Sequence, residues 1–123
     1  MKTAIISGAS RGIGKEIALS LSKEGYRVIV NFLNSQESAI SLCEQINFQG
    51  GHAVAFKADM ANPRQIKEMV DFTVKNFSTV DLLVANAGIG YSALLTDHSD
   101  EIIKKIIDIN LVGVITLCKE AAK

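Results

Sequence analysis

The chain has 123 residues, 48% of them hydrophobic, with thirteen Lys and Arg balanced by thirteen Asp and Glu. Such a length predicts a single domain over residues 1–123 with one core, and the even charge excludes the positive field that draws nucleic acid or an anionic membrane surface. Cys43 and Cys118 stand far apart without metal-ligand spacing, which argues against a metal site or a disulfide framework and suits a reducing cytoplasm.

No apolar run approaches the ~18 residues of a membrane helix, and the N-terminus is too short in apolar residues for a signal-peptide core. Short apolar runs alternate with longer segments of helical period, the pattern of four βα units around a parallel sheet. The first strand is expected at about Thr3 to Ile6, followed by a glycine turn and a helix with Ile13, Ile17 and Leu21 on one apolar face. Arg27 to Asn31 reads as the second strand. Asn34 with Glu37 reads as a capping box that opens a helix burying Ala39, Leu42, Cys43 and Ile46. The third strand, about Ala53 to Lys57, leads to Asp59 and to Asn62-Pro63, an N-cap followed by a first-turn proline. Ile66, Met69, Val70, Thr73 and Phe77 should then face the sheet. The fourth strand, Asp81 to Ala85, ends in Asn86-Ala87-Gly88, and one long helix is expected from about Ser99. That helix carries two apolar stripes, Ile102, Ile106, Ile109 and Gly113 on one side and Ile103, Ile107, Leu111, Val114 and Cys118 on another. Apolar residues on two sides imply deep burial or a second subunit, so a homo-oligomer is expected.

The chemistry concentrates at Ser7-Gly8-Ala9-Ser10-Arg11-Gly12-Ile13-Gly14. Unpaired amides and the positive end of a helix favour a pyrophosphate at such a strand-to-helix turn. Gly8 allows the turn, Gly12 lets a diphosphate approach the backbone, and Gly14 permits close packing of the helix. With Asp59, Asn86-Ala87-Gly88 and Asn110 following in order, the chain resembles the short-chain dehydrogenase/reductase family along essentially its whole length. Within that family it looks most like the 3-oxoacyl-acyl-carrier-protein reductases, in the Asn31 to Ser35 stretch and in Ser10 to Gly14. Ser7 stands where the family usually has threonine, and Ala85-Asn86-Ala87-Gly88 replaces its usual NNAG.

The resemblance implies an α/β, Rossmann-like, doubly wound parallel sheet of strand order 3-2-1-4, ending after the fourth βα unit. It implies a dinucleotide cofactor, with Ser10 and Ile13 in the glycine turn, Asp59 on the adenine amino group, the Met60 amide nearby, and Asn86, Ala87 and Gly88 lining the cofactor. Asn110 matches the family's catalytic asparagine, which organises a water in a proton route. An acid at the end of the second strand would bind a ribose 2′-hydroxyl and repel a 2′-phosphate; Asn31 stands there instead. Arg11 offers a charged partner for that phosphate, and Asn31, Asn34 and Ser35 offer neutral hydrogen bonds, so NADP(H) is favoured over NAD(H). The implied reaction is hydride transfer to a small-molecule or carrier-bound carbonyl.

The family's tyrosine with a lysine four residues on has no match here, because Tyr26 and Tyr91 are followed at that spacing by Val30 and Leu95. The substrate-orienting serine is likewise expected beyond Lys123. A non-catalytic dinucleotide-binding module and a fragment of a longer enzyme are therefore the alternative readings. His52 and His98 belong to no recognisable nucleophilic constellation.

Overall fold

The computed structural model describes all 123 residues. In chain order the elements are β1 (Thr3–Ile6), α1 (Gly12–Lys23), β2 (Arg27–Phe32), α2 (Gln36–Phe48), β3 (His52–Lys57), α3 (Pro63–Phe77) and β4 (Leu82–Val84). A 3-10 turn (Leu95–Asp97), α4 (Asp100–Ile107), a π turn (Asp108–Val112) and α5 (Gly113–Ala122) follow. The four strands are all parallel, in the order β3-β2-β1-β4. This is the Rossmann-like doubly wound sheet the sequence implies. β1 is central, and the chain reverses direction of growth between β1 and β4, where open α/β sheets hold their ligands.

Strands covered on both faces read as unbroken apolar runs, and β1 is an example: all four of its residues are buried. Its side chains alternate between two layers. Ile6, Val28 and Val30 meet Ala18 of α1 and Leu42 and Ile46 of α2. Ile5 and Ile29 meet Ile66 and Met69 of α3 and Leu117 of α5 on the opposite face. Each valine, leucine, isoleucine or methionine among them contributes about 1.5–3 kcal/mol when fully buried.

Several local expectations need correction. Ile13 is 74% exposed; the buried residues of α1 are Gly14 and Ala18, with Ile17 and Leu21 only part-buried. The helix starts at Gly12, and positions 14 and 18, one turn apart, take the face toward the sheet, which turns position 13 outward. The capping box at Asn34 and Glu37 does not form. α2 begins after Ser35 with no side-chain cap, although Ala39, Leu42, Cys43 and Ile46 are buried as expected. The Asn62 cap of α3 is present: Oδ1 accepts from the N–H of Arg64 at 3.0 Å and of Gln65 at 3.2 Å.

The single long final helix is interrupted by the π turn. Ser99 caps α4 by accepting from the Ile102 N–H at 3.1 Å. Ile102 and Ile106 are part-buried and Ile109 and Gly113 buried, and Leu117 extends this stripe. The second stripe is open: Ile103, Ile107 and Leu111 are 42%, 46% and 52% exposed. Gly113 brings α5 onto the end of β3's connection, since a Cβ there would lie 2.2 Å from the Met60 carbonyl oxygen. No helix is long and apolar enough to cross a membrane.

Candidate functional site

Beyond the C-terminal ends of the strands lies a cleft of about 310 Å³. Its walls come from the glycine turn (Gly8, Ser10, Arg11), the β2 exit (Asn31 to Ser35), the β3 exit (Ala58, Asp59, Met60) and the β4 exit (Asn86 to Ile89). Eleven of the residues singled out from sequence therefore share one concave surface. Gly12, Ile13, Gly14 and Asn110 stand outside that lining.

The glycine turn is fixed from two sides. Gly8 has φ +62°, and a Cβ there would come within 2.9 Å of the Ala87 Cα. A Cβ on Gly14 would lie 2.6 Å from both the Gly8 carbonyl oxygen and Asn86 Nδ2. Gly14 thus permits contact with the turn itself and with the β4 exit, a closer constraint than helix-to-sheet packing. Gly12 differs: it also has φ +62°, yet nothing lies within 4 Å of its would-be Cβ. Its requirement is backbone conformation, at about 1–2 kcal/mol for an L residue, together with open space above the turn. The N–H groups of Gly12, Ile13 and Gly14 have no acceptor within the chain, as expected of a first helical turn.

Ser7 binds the turn to β4. Its Oγ accepts from the N–H of Asn86 and of Ala87, both at 2.9 Å, and Asn86 Nδ2 donates back to the carbonyls of Ser7 at 3.2 Å and Gly8 at 3.0 Å. A hydroxyl at position 7 is what this lacing needs, so serine serves where the family usually has threonine.

At the β3 exit, Asp59 Oδ1 accepts from the Ala61 N–H at 2.8 Å, and the Asp59 N–H donates to Gln65 Oε1 at 2.8 Å. The second carboxylate oxygen has no partner in the chain. Met60 is 6% exposed, its side chain packed against α3 and α5. Arg11 and Asn34 are exposed at the rim and Ser35 is half-buried.

Asn31 departs from its expected role. It is 2% exposed, and its carboxamide is consumed by Gly8 on one side and by the Phe56 and Ala58 carbonyls on the other. β2 runs one residue further than expected, to Phe32, which draws Asn31 into the sheet and makes Phe32 and Leu33 the exit residues. Asn110 sits in the π turn, its Oδ1 accepting from the Ile89 N–H at 2.8 Å and its Nδ2 donating to the Ile89 carbonyl at 2.7 Å. That pairing fixes the turn after β4 and explains an asparagine in mid-helix. Gly88 lies against it, with a Cβ placed 3.3 Å from Asn110 Oδ1.

Sequence reading passed over Leu33, Ile89 and Ile109 as cleft residues and Gln65 as support for Asp59. Leu33 and Ile89 could have been found as the residues next to strand exits; Gln65 has no signal beyond its place one turn into a helix.

A parallel sheet with a glycine turn on its central strand and a cleft at the switch point defines a dinucleotide-fold protein of the α/β class. More narrowly, the family model for short chain dehydrogenase matches residues 2–123, and the chain belongs to that family. It is 42% identical over 113 residues, 92% of its length, to the 3-oxoacyl-acyl-carrier-protein reductase of Staphylococcus epidermidis strain ATCC 35984, covering 46% of that protein. It is 38% identical over 122 residues to the corresponding reductase of a Synechocystis species, covering 99% of this chain and 49% of that one. A short chain dehydrogenase from Burkholderia cenocepacia, solved in complex with NADP, superposes with a TM-score of 0.95 at 35% identity, over 98% of this chain and 49% of that one. The chain spans about half the length of the curated relatives it matches.

Proposed function

We propose that this chain forms the NADP(H)-binding part of an oxidoreductase that reduces a carbonyl of the 3-oxoacyl type, as a single cytoplasmic domain over residues 1–123. The observation that carries this reading is the glycine turn. Gly12 leaves open space over three unpaired amides, beside a cleft whose rim bears Arg11 and whose β2 exit bears no carboxylate. Amides and a helix start suit a pyrophosphate, and the residues fit an extended dinucleotide.

In this reading Gly8, Gly12, Ile13 and Gly14 present the turn to the diphosphate, with Ser10 at its wall. Asp59 accepts from the adenine amino group through its unpartnered oxygen, beside Met60. Arg11 pairs with the ribose 2′-phosphate, with Asn34 and Ser35 beside it. The planar, permanently charged guanidinium suits a phosphate better than a ribose hydroxyl, so NADP(H) is preferred over NAD(H). Asn86, Ala87 and Gly88 line the course toward the reacting end, and Asn110 holds that turn through Ile89. The nicotinamide, when bound, supplies the hydride.

The relatives are named as 3-oxoacyl-acyl-carrier-protein reductases, which supports the carbonyl class, and the Burkholderia complex with NADP supports the cofactor. Assembly with a second copy through the open stripe of α4 and α5 belongs to the same reading.

Arg11→Ala tests the cofactor assignment by fluorescence titration with NADPH and NADH. The expected result is about a tenfold fall in the NADPH-to-NADH affinity ratio, the scale of one charge-assisted hydrogen bond. An unchanged ratio removes Arg11 from phosphate recognition, and absence of NADPH binding by the unmodified protein overturns the whole reading.

A further inference from the structure

We propose that Asn31 is a positioning residue that locks the two walls of the cleft, the glycine turn and the β3 exit, into one geometry for a ligand that spans both. The inference rests on the dinucleotide reading above and deepens it.

β2 lies between β1 and β3, and Asn31 is opposite Phe56 in the parallel register. Its Oδ1 accepts from the Gly8 N–H at 3.0 Å, and its main-chain carbonyl accepts from the Ala9 N–H at 2.9 Å. One residue thus anchors two successive amides of the turn, beyond the end of the β1 ladder. On its other side Nδ2 donates to the Ala58 carbonyl at 3.1 Å and the Phe56 carbonyl at 3.3 Å. Ala58 directly precedes Asp59, so one carboxamide joins the turn assigned to the diphosphate with the wall assigned to adenine.

Asparagine is poorly suited to a buried parallel strand, where β-branched and aromatic residues fit better, and burying its amide costs free energy unless every polar atom is bonded. Here its bonds lie along the rim of the sheet, where the main-chain ladder runs out. The required donor and acceptor pattern is also specific. Gly8 presents an N–H and needs an oxygen; Ala58 and Phe56 present carbonyls and need a donor. A carboxylate meets the first need and opposes the second, and an aliphatic side chain meets neither.

Asn31 is 2% exposed and its polar groups are occupied, so it acts on a ligand through the walls it holds. A ligand touching both walls gains when their separation is fixed before binding, because ordering is then not charged against affinity. A ligand touching one wall gains nothing from the lock.

The test compares NADPH, which spans both walls, with adenosine, which carries neither the diphosphate nor the 2′-phosphate and reaches only the β3 exit, using calorimetry on the chain and on Asn31→Ala. The expected result is an NADPH affinity lowered about tenfold, with the adenosine affinity changed less than about twofold. Equal losses for both ligands, the mark of general loosening, overturn the proposal, as does an unchanged NADPH affinity. In Asn31→Asp the carboxylate faces two carbonyls, and its protonation restores a donor. NADPH affinity should therefore recover as pH falls, relative to the unmodified chain, and no recovery overturns the proposal. Should both variants fail to fold, hydrogen exchange in the unmodified chain decides the matter. A slow Gly8 amide and slow Asn31 Nδ2 protons are required before ligand is added, and fast exchange at either sinks the lock. If the unmodified chain binds adenosine and not NADPH, the dinucleotide reading fails together with this one.

Discussion

The stretch from Leu82 onward is more apolar than the stretch from Met1 to Phe77, yet it is less deeply buried. All four residues of β1 are buried, while all three of β4 are only half-buried. α2 and α3 bury four residues each, whereas α4 buries none. A stripe of isoleucines states what a helix can bury, and the surrounding elements decide what it does bury. The cleft lies along the seam between the two regions, joined by Ser7 and Asn86.

The sharpest way to break this arrangement is at Gly113, where the second region seats on the first. A Cβ would sit 2.2 Å from a backbone carbonyl that has little room to yield. Gly113→Val is expected to cost about 3 kcal/mol, at the upper end of overpacking effects. Urea denaturation measures it, and a loss under about 1 kcal/mol would show that α5 docks without this seat.

The two cysteines report on one region each. Cys43 is 7% exposed and burial pushes its thiol up to about 11, whereas Cys118 is exposed on α5. Iodoacetamide at pH 8 should modify Cys118 and spare Cys43; rapid labelling of Cys43 would mean that α2 opens readily. Because the folded pKa lies above the unfolded value, Cys43 contributes stability that is complete below pH 9 and is lost as pH rises toward about 11. Cys43→Ala should flatten that part of the pH–stability curve.

The smallest effect on stability is expected on the open stripe. Leu111→Lys, at a residue 52% exposed, should change unfolding free energy by no more than about 0.5 kcal/mol while shifting sedimentation toward the monomer. An unmodified chain that sediments as a monomer at high concentration would remove the second copy from the proposed function.

The strand count and the location of the cleft were legible, because buried parallel strands, helical periods and a glycine turn after the first strand are local signals, whereas the strand order came from the family resemblance. Helix phase was less so. Ile13 and Ile17 have the spacing of one face, but only the starting angle of α1 on the sheet reveals that Gly14 and Ala18 take the inward position. Asn34 and Glu37 have the spacing of a capping box, yet β2 runs to Phe32 and the chain enters α2 at Ser35, one residue too late for it. At Asn31 the strand boundary mattered most. A residue placed at a strand's tip should face ligand, and one residue further inside it becomes part of the sheet's own bonding. The roles of Asn86 and Asn110 as straps depend on contacts made across long sequence separations, with Ser7 and Ile89, which no local pattern encodes.

The π turn at Asp108–Val112 lies midway along a stripe of regularly spaced inward residues. In a regular α-helix one residue more or fewer rotates the remainder by about 100°. No such surplus is present here, because Ile106 and Gly113 are seven residues apart, the span of about two regular turns. Ile102 and Ile106 before it and Gly113 and Leu117 after it all face the core, while Asn110 within the widened turn reaches Ile89. The same stretch of chain thus serves two neighbours at once, its inward stripe meeting the core while Asn110 straps the β4 exit.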